Sequence, residues 1–401
     1  MGKIGKSLLV TVLVLLLAGC WDRVEIEERG FVIGAAIDTA NDQESDIKIE
    51  GKRKENYRLT YQFVVPGNIQ GNSSGGKQTN NGASGDKPYL NLTSEGKTIF
   101  QITRQMASET SRIPYMQHLK VILLSEELAQ KGYLYDALDI FVRDHEMRRA
   151  AKVVITEGEA KRALEINAQN EKLPIMFINS ISENVKKSAR FLPFTNIGEI
   201  HSDLLKGKSF VVPRIFVNEK DARISGAAVF NSEDLKMIGT LNERETLGLN
   251  FIIGEVKSAS IDLVMDDQFV TVEIKSGKSN MKASVSDLDQ IQFIIELEAE
   301  GNVGESFGNQ KLANPSTIAT FEEETSKEIE QIILQTIEKV QKEYKADVLG
   351  LGSHLKEEHH QTWTKLEKDW DRGKNYFEKS KIDVQVKFKI RQIGASIETV
   401  K

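Results

Sequence analysis

The chain has 401 residues, of which 40% are hydrophobic and 28% are charged, as is typical of a folded protein with its own buried cores. It carries 53 lysines and arginines against 59 aspartates and glutamates, which gives a net charge of −6 and disfavours binding to phosphate-rich nucleic acid. The single cysteine, Cys20, excludes an internal disulfide, and the length predicts two or three domains.

The first 20 residues have the pattern of a secretory signal. Lys3 and Lys6 form a positive start, residues 8–18 form an apolar run, and small residues precede Cys20. The apolar run has eleven residues, whereas a helix that spans a hydrocarbon core needs about 20. We therefore expect a signal sequence here and not a permanent membrane helix.

The sequence Leu17-Ala18-Gly19-Cys20 is typical of a lipobox, the processing site of bacterial lipoproteins. We expect cleavage between Gly19 and Cys20, with an S-diacylglyceryl group on the Cys20 thiol and an optional N-acyl group. Two acyl chains hold a protein stably on a bilayer, whereas one chain does so only marginally. The sequence thus predicts that residues 1–19 are a signal peptide and that the mature chain is anchored on the outer face of the cell membrane.

No glycine- and serine-rich spacer separates Cys20 from the first predicted strand, at 31–37. This strand begins about ten residues after the lipid, which places it within ~35 Å of the bilayer even if the connection is fully extended. A second strand is predicted at 57–65. Residues 66–88 are rich in glycine, serine and asparagine and predict a flexible insertion.

Between residues 89 and 217, segments with strand periodicity alternate with segments of helical periodicity. Strands are predicted at 89–96, 117–124, 151–156 and 209–217, and helices at 97–109, 134–142, 173–189 and 197–205. This alternation indicates an α/β layered domain, which we assign to residues 20–222, with two subdomains as an alternative. Pro213 lies inside the last strand and argues for a sheet edge or a bulge there.

Residues 223–401 predict a separate α+β domain. An antiparallel meander is expected, with strands within 251–265, 268–286 and 290–301 and connections at 266–267, 276–277 and 287–289. An amphipathic helix at 317–344, which covers a core or faces a partner, precedes a break at Gly350 and Gly352, a helix at 357–371 and a closing strand at 381–393. The expected fold class is α+β, with mixed sheets flanked by helices in two or three domains.

Two motifs approach the patterns of catalytic or metal sites. Residues 304–308, GESFG, match G-x-S-x-G around Ser306, but a polar stretch follows where a hydrolase has an apolar helix, so we expect a surface loop. His359 and His360 lie five and six residues after His354, whereas two zinc ligands on one helix face are four apart. We therefore predict no catalytic, cofactor-binding or metal site.

A dense charge cluster, VRDHEMRRAA, lies between a predicted helix and a predicted strand. It includes Arg143, Asp144, Glu146, Arg148 and Arg149. One interpretation is a set of ion pairs within the domain that orient this connection. The other is a recognition surface, for which Arg143, Asp144, Glu146 and Arg148 are the candidate residues.

Taken together, these features resemble the Ger(x)C family, the lipoprotein C subunits of bacterial spore germinant receptors. The similarity lies in residues 20–38 (CWDRVEIEERGFVIGAAID), 94–164, 226–252, 346–363 (ADVLGLGSHLKEEHHQTW) and 384–394. The resemblance implies three domains of α/β type, and a complex with two integral membrane subunits in the inner membrane of a dormant spore that responds to nutrients. The insertion at 66–88 looks variable in such proteins, and we attach no function to it.

The resemblance implies a non-catalytic receptor subunit that is needed for germination, docks on integral membrane A- and B-type subunits and uses no cofactor. The alternative is a solute-binding lipoprotein that delivers a small molecule to a transporter, which predicts a hinged cleft between the two regions of the chain. A third hypothesis, an envelope hydrolase, depends on Ser306 as the nucleophile.

Overall fold

A computed structural model describes residues 28–40, 48–49, 52–53, 56–69, 87–144, 146–168, 170–184, 188–254, 256–265, 267–307, 312 and 314–394. The predicted signal peptide at 1–19, Cys20 and residues 70–86 of the predicted insertion lie outside the described residues. The fold consists of two mixed sheets with helices packed on them, which confirms the predicted α+β class.

The larger sheet has nine strands, which we call the large sheet. The strands in the first part of the chain are β1 (Arg29–Thr39), β2 (Lys48–Ile49), β3 (Lys52–Arg53), β4 (Tyr57–Val64), β5 (Tyr89–Gly96), β6 (Ile113–Tyr115), β7 (Val121–Ser125), β8 (Lys152–Thr156), β9 (Phe210–Val217), β10 (Ala222–Phe230) and β11 (Met237–Leu241). The large sheet has the order β11-β10-β9-β8-β7-β1-β4-β5, with β6 beside the start of β1, while β2 and β3 pair with each other. Its centre is parallel from β1 through β7 and β8 to β9, and its flanks are antiparallel.

Helices cover both faces of the large sheet. They are α1 (Ile99–Glu109), α2 (Glu126–Gln130), α3 (Leu134–Arg143), a 3₁₀ helix (Ala160–Leu164), α4 (Pro174–Asn184) and α5 (Ile197–Lys206). On one face, Ile102 of α1 and Phe141 of α3 are buried in one core cluster, and on the other face Ile175 of α4 is buried in a second. Full burial of such a side chain contributes about 1.5–3 kcal/mol, so these two layers hold the sheet.

Short polar caps set the starts of several of these helices. The Ser125 hydroxyl accepts a hydrogen bond from the Leu128 backbone N–H at 3.3 Å, as expected for the predicted helix start there. At the start of α5, Asn196 and Glu199 form a reciprocal capping box, with both hydrogen bonds at 3.0 Å. Such caps satisfy N–H groups that the helix itself leaves without partners.

The smaller sheet has four strands, which we call the small sheet. The elements of this part of the chain are α6 (Glu243–Ile253), β12 (Ala259–Met265), β13 (Gln268–Asp287), β14 (Gln290–Ser306), α7 (Pro315–Glu338), a π-helix (Lys339–Glu343), α8 (Leu351–Glu358), α9 (His360–Leu366), a 3₁₀ helix (Glu367–Asp369), α10 (Tyr376–Lys379) and β15 (Lys381–Gln392). β12, β13 and β14 form an antiparallel meander, whereas β15 returns parallel to β14 after the helical crossover.

One continuous core joins the two sheets. Val229 of β10 and Leu241 of β11 are buried in the same cluster as Phe251 of α6, Phe293 of β14 and Phe321 of α7. β10 begins at Ala222 and β11 follows it, yet both strands hydrogen-bond into the large sheet. The two sheets therefore share apolar contacts as well as a chain connection.

Pro213 lies inside the large sheet, not at its edge. Its strand, β9, is flanked by β8 and β10, and the alternative prediction of a bulge is the correct one. The register shifts between Ile224 and Ala227, opposite Pro213. Gly226, within this bulge, has a φ of 97°, and a Cβ atom there would lie 2.0 Å from the Leu241 carbonyl oxygen. The bulge accommodates the missing N–H of the proline.

Two predicted breaks in the second region are wrong. The predicted connection at 276–277 is absent because β13 runs through it, with a register shift between Ile274 and Ser276 and a hydrogen bond from the Gly277 N–H to the Val256 carbonyl. Gly350, with a φ of 83°, does precede a helix. Gly352 lies inside that helix. The absence of a side chain there leaves room for the indole of Trp370.

The helix predicted at 357–371 is also divided. Its first two residues end α8, and α9 and the short 3₁₀ helix Glu367–Asp369 follow. Within the described part of the chain, no helix combines the length and the apolar character needed to cross a membrane.

Candidate functional site

The predicted charge cluster is divided by the structure. Arg143, at the end of α3, pairs with Asp139 one turn earlier at 2.7 Å, and Asp144 accepts a hydrogen bond from the Glu146 N–H at 2.8 Å. Arg148 and Arg149 are exposed and form no ion pair with any described residue. The side chains of Arg143 and Asp144 thus act locally, and Glu146 takes part through its backbone N–H, while Arg148 and Arg149 remain available to an external partner.

Ser306 is the last residue of β14 and pairs with Val270 of β13. The predicted surface loop at 304–308 is therefore wrong for 304–306, because pairing with β13 continues the strand to Ser306. Residues 308–311 lie outside the described chain.

The three histidines that follow are held in different directions. The His354 Nε2 lies 3.2 Å from a Glu358 carboxylate oxygen, and the His359 ring lies 3.2 Å from the Ala283 carbonyl of β13, while His360 begins α9. Within the described chain, no group of three or more His, Cys, Asp or Glu side chains has the geometry of a metal site.

A buried carboxylate, Asp347, organises the segment between the π-helix and α8. Its Oδ1 accepts hydrogen bonds from the backbone N–H groups of Leu349, Gly350 and Leu351 at 3.0–3.2 Å. Its Oδ2 accepts from the Gly352 N–H at 2.6 Å and from the Trp370 indole Nε1–H at 2.7 Å. With five donors on its two oxygens, this one side chain holds the whole turn into α8.

The protonation of Asp347 is set by opposing effects. Burial raises the pKa of its carboxyl above the usual range, and the nearby charge of Asp371 acts in the same direction. The hydrogen bonds from Gly352 and Trp370 lower the pKa in opposition. These contacts match a structural clamp, in which every carboxylate oxygen has donors.

Asp371, next to Trp370, connects this segment to the large sheet. The hydroxyl of Ser209, just before β9, donates to its Oδ2 at 2.6 Å, and the hydroxyl of Ser232, just after β10, donates to its Oδ1 at 2.8 Å. The Asp347 N–H also points to Asp371, at 3.3 Å. We call Asp347, Trp370, Asp371, Ser209 and Ser232 the interdomain cluster.

A cleft of about 900 Å³ lies against the interdomain cluster. One wall is α5 with the residues that lead into β9, and the other is α8 and α9. Side chains of both charges line this cleft, including Asp203, Lys206, Lys356 and Glu357. The solute-binding alternative requires such a cleft to hinge, but hydrogen bonds between Lys208 and Ser353 at 2.6 Å and within the interdomain cluster join its walls.

The same side of the large sheet is held by Tyr344. Its hydroxyl accepts from the Thr240 N–H at 3.1 Å and donates to the Thr240 carbonyl at 2.8 Å, and its ring fills the space beside Gly239. Thr240 lies in β11, an edge strand, so this tyrosine satisfies backbone groups that an open edge would expose.

The interdomain cluster could not be predicted from the sequence. Asp347 did carry a local signal, since an aspartate shortly before a glycine turn often accepts hydrogen bonds from the backbone N–H groups that follow. Ser209 and Ser232 had none, because they lie 162 and 139 residues from Asp371. A pattern in the sequence around each residue holds no information about partners so far away.

A second buried carboxylate, Asp38 of β1, ties the large sheet to the 3₁₀ helix beneath it. Its two oxygens accept hydrogen bonds from the backbone N–H groups of Ala160 at 2.6 Å and Lys161 at 3.1 Å. Burial raises the pKa of this carboxyl to about 6, and the charge of Glu159 adds to the effect, while both N–H groups and Arg58 oppose it.

We expect Asp38→Asn to remove a pH-dependent part of the stability. A folded-state pKa of about 6 lies above the unfolded value near 4, so Asp38 stabilises the folded state most below pH ~4, and this contribution is lost as the pH rises through 6. The loss is roughly 2–3 kcal/mol, at ~1.4 kcal/mol per unit of pKa difference.

Urea unfolding of the mature chain at pH values from 4 to 7 tests this effect. As the pH falls from 7 to 4, the free energy of unfolding of wild type should rise by roughly 2–3 kcal/mol relative to that of Asp38→Asn. Asp383→Asn is the control, because Asp383 is half-buried and its hydrogen bond with Lys381 lowers its pKa. Parallel pH profiles for wild type and Asp38→Asn would show that Asp38 does not titrate in this way.

Comparisons with known proteins agree across both sheets. The model of the spore germination protein N-terminal domain matches residues 22–217, and that of the spore germination B3/GerAC-like C-terminal domain matches residues 225–394. The chain is 31% identical to spore germination protein YndF of Bacillus subtilis (strain 168) over 399 residues, which cover 98% of this chain and 97% of that protein. It is 30% identical to spore germination protein A3 of the same organism over 396 residues, or 97% and 98% of the two chains.

The fold has a solved counterpart. The crystal structure of the GerBC protein superposes with a TM-score of 0.59 at 24% identity and covers 92% of this chain and 100% of that one. Family models match both regions of the chain, and relatives at about 30% identity extend over nearly its full length. These matches confirm the family resemblance that was predicted from the residues around Cys20 and Asp347. The chain therefore belongs to the Ger(x)C family of GerAC-like spore germination proteins.

Proposed function

We propose that this chain is the lipid-anchored, non-catalytic subunit of a spore germinant receptor. Cys20 anchors it to the outer face of the membrane, which in the spore is the inner spore membrane, and it docks on integral membrane A- and B-type subunits. The observation that carries this proposal is that the family match begins directly after Cys20, at residue 22, and continues to residue 394. Anchor and family domains thus belong to one chain.

The interdomain cluster supports a role in which the two sheets act as one body. The charged and polar groups of the cluster are bonded to one another or to backbone N–H groups. A lipid anchor confines this body to a surface, where the effective concentration of membrane partners is high and modest contacts suffice for docking.

A row of exposed apolar side chains on the small sheet is a suitable docking face. Val264 of β12 pairs with Phe269 of β13, and the Phe307 N–H, just past β14, donates to the Phe269 carbonyl at 3.0 Å. The side chains are 68%, 61% and 53% exposed, respectively. Adjacent apolar residues on a surface often mark a site that a partner covers, and we assign this row to an integral subunit.

Photo-crosslinking in dormant spores tests the proposed docking. Benzoylphenylalanine at Phe307 should give a crosslinked product with an integral receptor subunit, and the product should be absent from a strain without the integral subunits. Phe100 is the matched control, since it is aromatic and 56% exposed but belongs to α1, a helix that packs on the large sheet. Equal labelling from both positions would reject this docking face, and normal germination of a deletion strain on every nutrient would reject the receptor role.

A further inference from the structure

The large sheet has one edge where the chain enters from Cys20. Strands β1, β7 and β8 are parallel, so their amino ends lie together at this edge. β6 pairs with the first three residues of β1, with Ile113 opposite Arg29, and extends the edge outward. We call this the amino edge and define it by Arg29, Arg112, Ile113, Lys120, Arg148 and Arg149.

Exposed cations gather at the amino edge although the whole chain is acidic. Arg112, Lys120, Arg148 and Arg149 are exposed, and none of the four forms an ion pair with a described residue. Arg29 lies over the Tyr115 ring, 4.1 Å from its centroid. The acids on adjoining described segments are Glu28, Glu109, Asp144, Glu146 and Glu199, and Asp22, Glu25 and Glu27 precede Glu28 in the sequence. Because salt screens charges beyond about 8–10 Å, a surface in contact with this edge responds to these local charges and not to the net charge.

An exposed isoleucine lies among the cations of the amino edge. Ile113 is 58% exposed, directly follows Arg112 and occupies the first position of β6. An apolar side chain next to Arg112 in the sequence and opposite Arg29 matches the boundary between lipid headgroups and acyl chains, where the apolar group inserts and the cations meet phosphates.

The length of the connection limits which edge can reach the bilayer. Glu28 is eight residues after Cys20, so a fully extended connection spans at most about 28 Å. β1 has eleven residues, so the opposite edge of the sheet lies about 36 Å farther along the strand direction. The amino edge is therefore the edge that the anchor brings to the membrane.

We propose that the amino edge lies on the bilayer, with Ile113 at the lipid interface and the exposed arginines and Lys120 on anionic headgroups. This inference rests on the proposed anchoring at Cys20. It adds an orientation, because a tether alone leaves the body free to rotate. This contact places the strands of the large sheet end-on to the membrane, with the carboxyl ends of the parallel strands β1, β7 and β8 away from it.

Fluorescence of single-cysteine labels on the lipidated full chain tests the orientation. The Cys20 thiol is blocked by its thioether, so an environment-sensitive dye attaches to the introduced cysteine of Ile113→Cys or of Phe100→Cys. These positions are matched in exposure, at 58% and 56%, and Phe100 lies near the start of α1, beyond the carboxyl end of β5. On vesicles of phosphatidylglycerol and phosphatidylcholine, we expect at least threefold protection of the label at 113 from an aqueous quencher, and none at 100.

A charge reversal separates headgroup contact from simple proximity. The pair Arg148→Glu and Arg149→Glu, in the Ile113→Cys background, should abolish the protection while the protein still floats with vesicles. Neutral phosphatidylcholine vesicles should reduce the protection in the same direction. Loss of flotation in the parent protein would refute the proposed anchor itself.

If the protein floats but the label at 113 is as accessible as the label at 100, the anchor stands and the proposed orientation is wrong. Protection that occurs in native spore membranes but not on pure lipid vesicles also overturns the lipid contact and assigns the amino edge to a protein partner. Protection that survives the charge reversal contradicts the role of the arginines.

Discussion

Cys20→Ala, placed behind a secretory signal that is not a lipoprotein signal, is expected to release the mature chain from the membrane and to reduce nutrient germination to the level of a deletion strain. Cys20 is the chain's only cysteine and the only residue to which the lipobox directs acylation. A diacylglyceryl group contributes ~0.8 kcal/mol per buried CH₂, so its loss removes tens of kcal/mol of anchoring. We expect more than a tenfold fall in chain retained on salt-washed membranes.

The signal replacement is needed because Cys20→Ala also blocks lipoprotein processing. An unprocessed precursor would keep the apolar run at 8–18, which itself holds the chain at a membrane. Ser7→Ala, a substitution of similar size in the same segment, is the control and should leave membrane retention unchanged. Immunoblots of washed membranes and mass spectrometry of the mature amino terminus measure the effect. Equal retention of the mature Cys20→Ala chain would reject the anchor.

Asp347→Ala should destabilise the protein by about 3–5 kcal/mol. Five donors, four backbone N–H groups and the Trp370 indole, would lose their acceptor in a buried site. One unsatisfied buried donor costs about 1–3 kcal/mol, and the five costs overlap because the turn into α8 can relax as a unit. The loss also loosens Asp371, which joins this turn to Ser209 and Ser232, so we expect lower abundance in spores and weaker germination.

Urea unfolding followed by tryptophan fluorescence measures this loss, with Trp370 as a probe beside the substituted residue. Asp347→Asn should lose about half as much, because its carbonyl can still accept from Leu349, Gly350 and Leu351 while its amide faces the other donors. Asp383→Ala is the control with the same change of charge. It removes an exposed ion pair to Lys381 and should change stability by less than 1 kcal/mol. Equal effects at 347 and 383 would show that the clamp contributes little.

Features with a local cause could be predicted from the amino-acid pattern. The lipobox pattern at Cys20 and the helix start at Ser125 each depend on residues a few positions apart, as does the periodicity of the long helix that begins at Pro315. The strand meander followed by helices and a closing strand likewise predicted the α+β class, because apolar spacing reflects which face of each element is buried.

Where distant segments meet is visible only in the folded chain. Pro213 lies in an interior strand because a bulge at Gly226 on β10 accommodates it, and β13 passes through 276–277 because β14 continues to pair with it. Asp371 accepts hydrogen bonds from Ser209 and Ser232, which flank strands β9 and β10 of the large sheet. The amino edge likewise gathers Arg112, Lys120 and Arg148 from three separate connections around the start of β1. These contacts depend on strand order and packing, and the residues near each partner in the sequence do not encode which distant residue it will face.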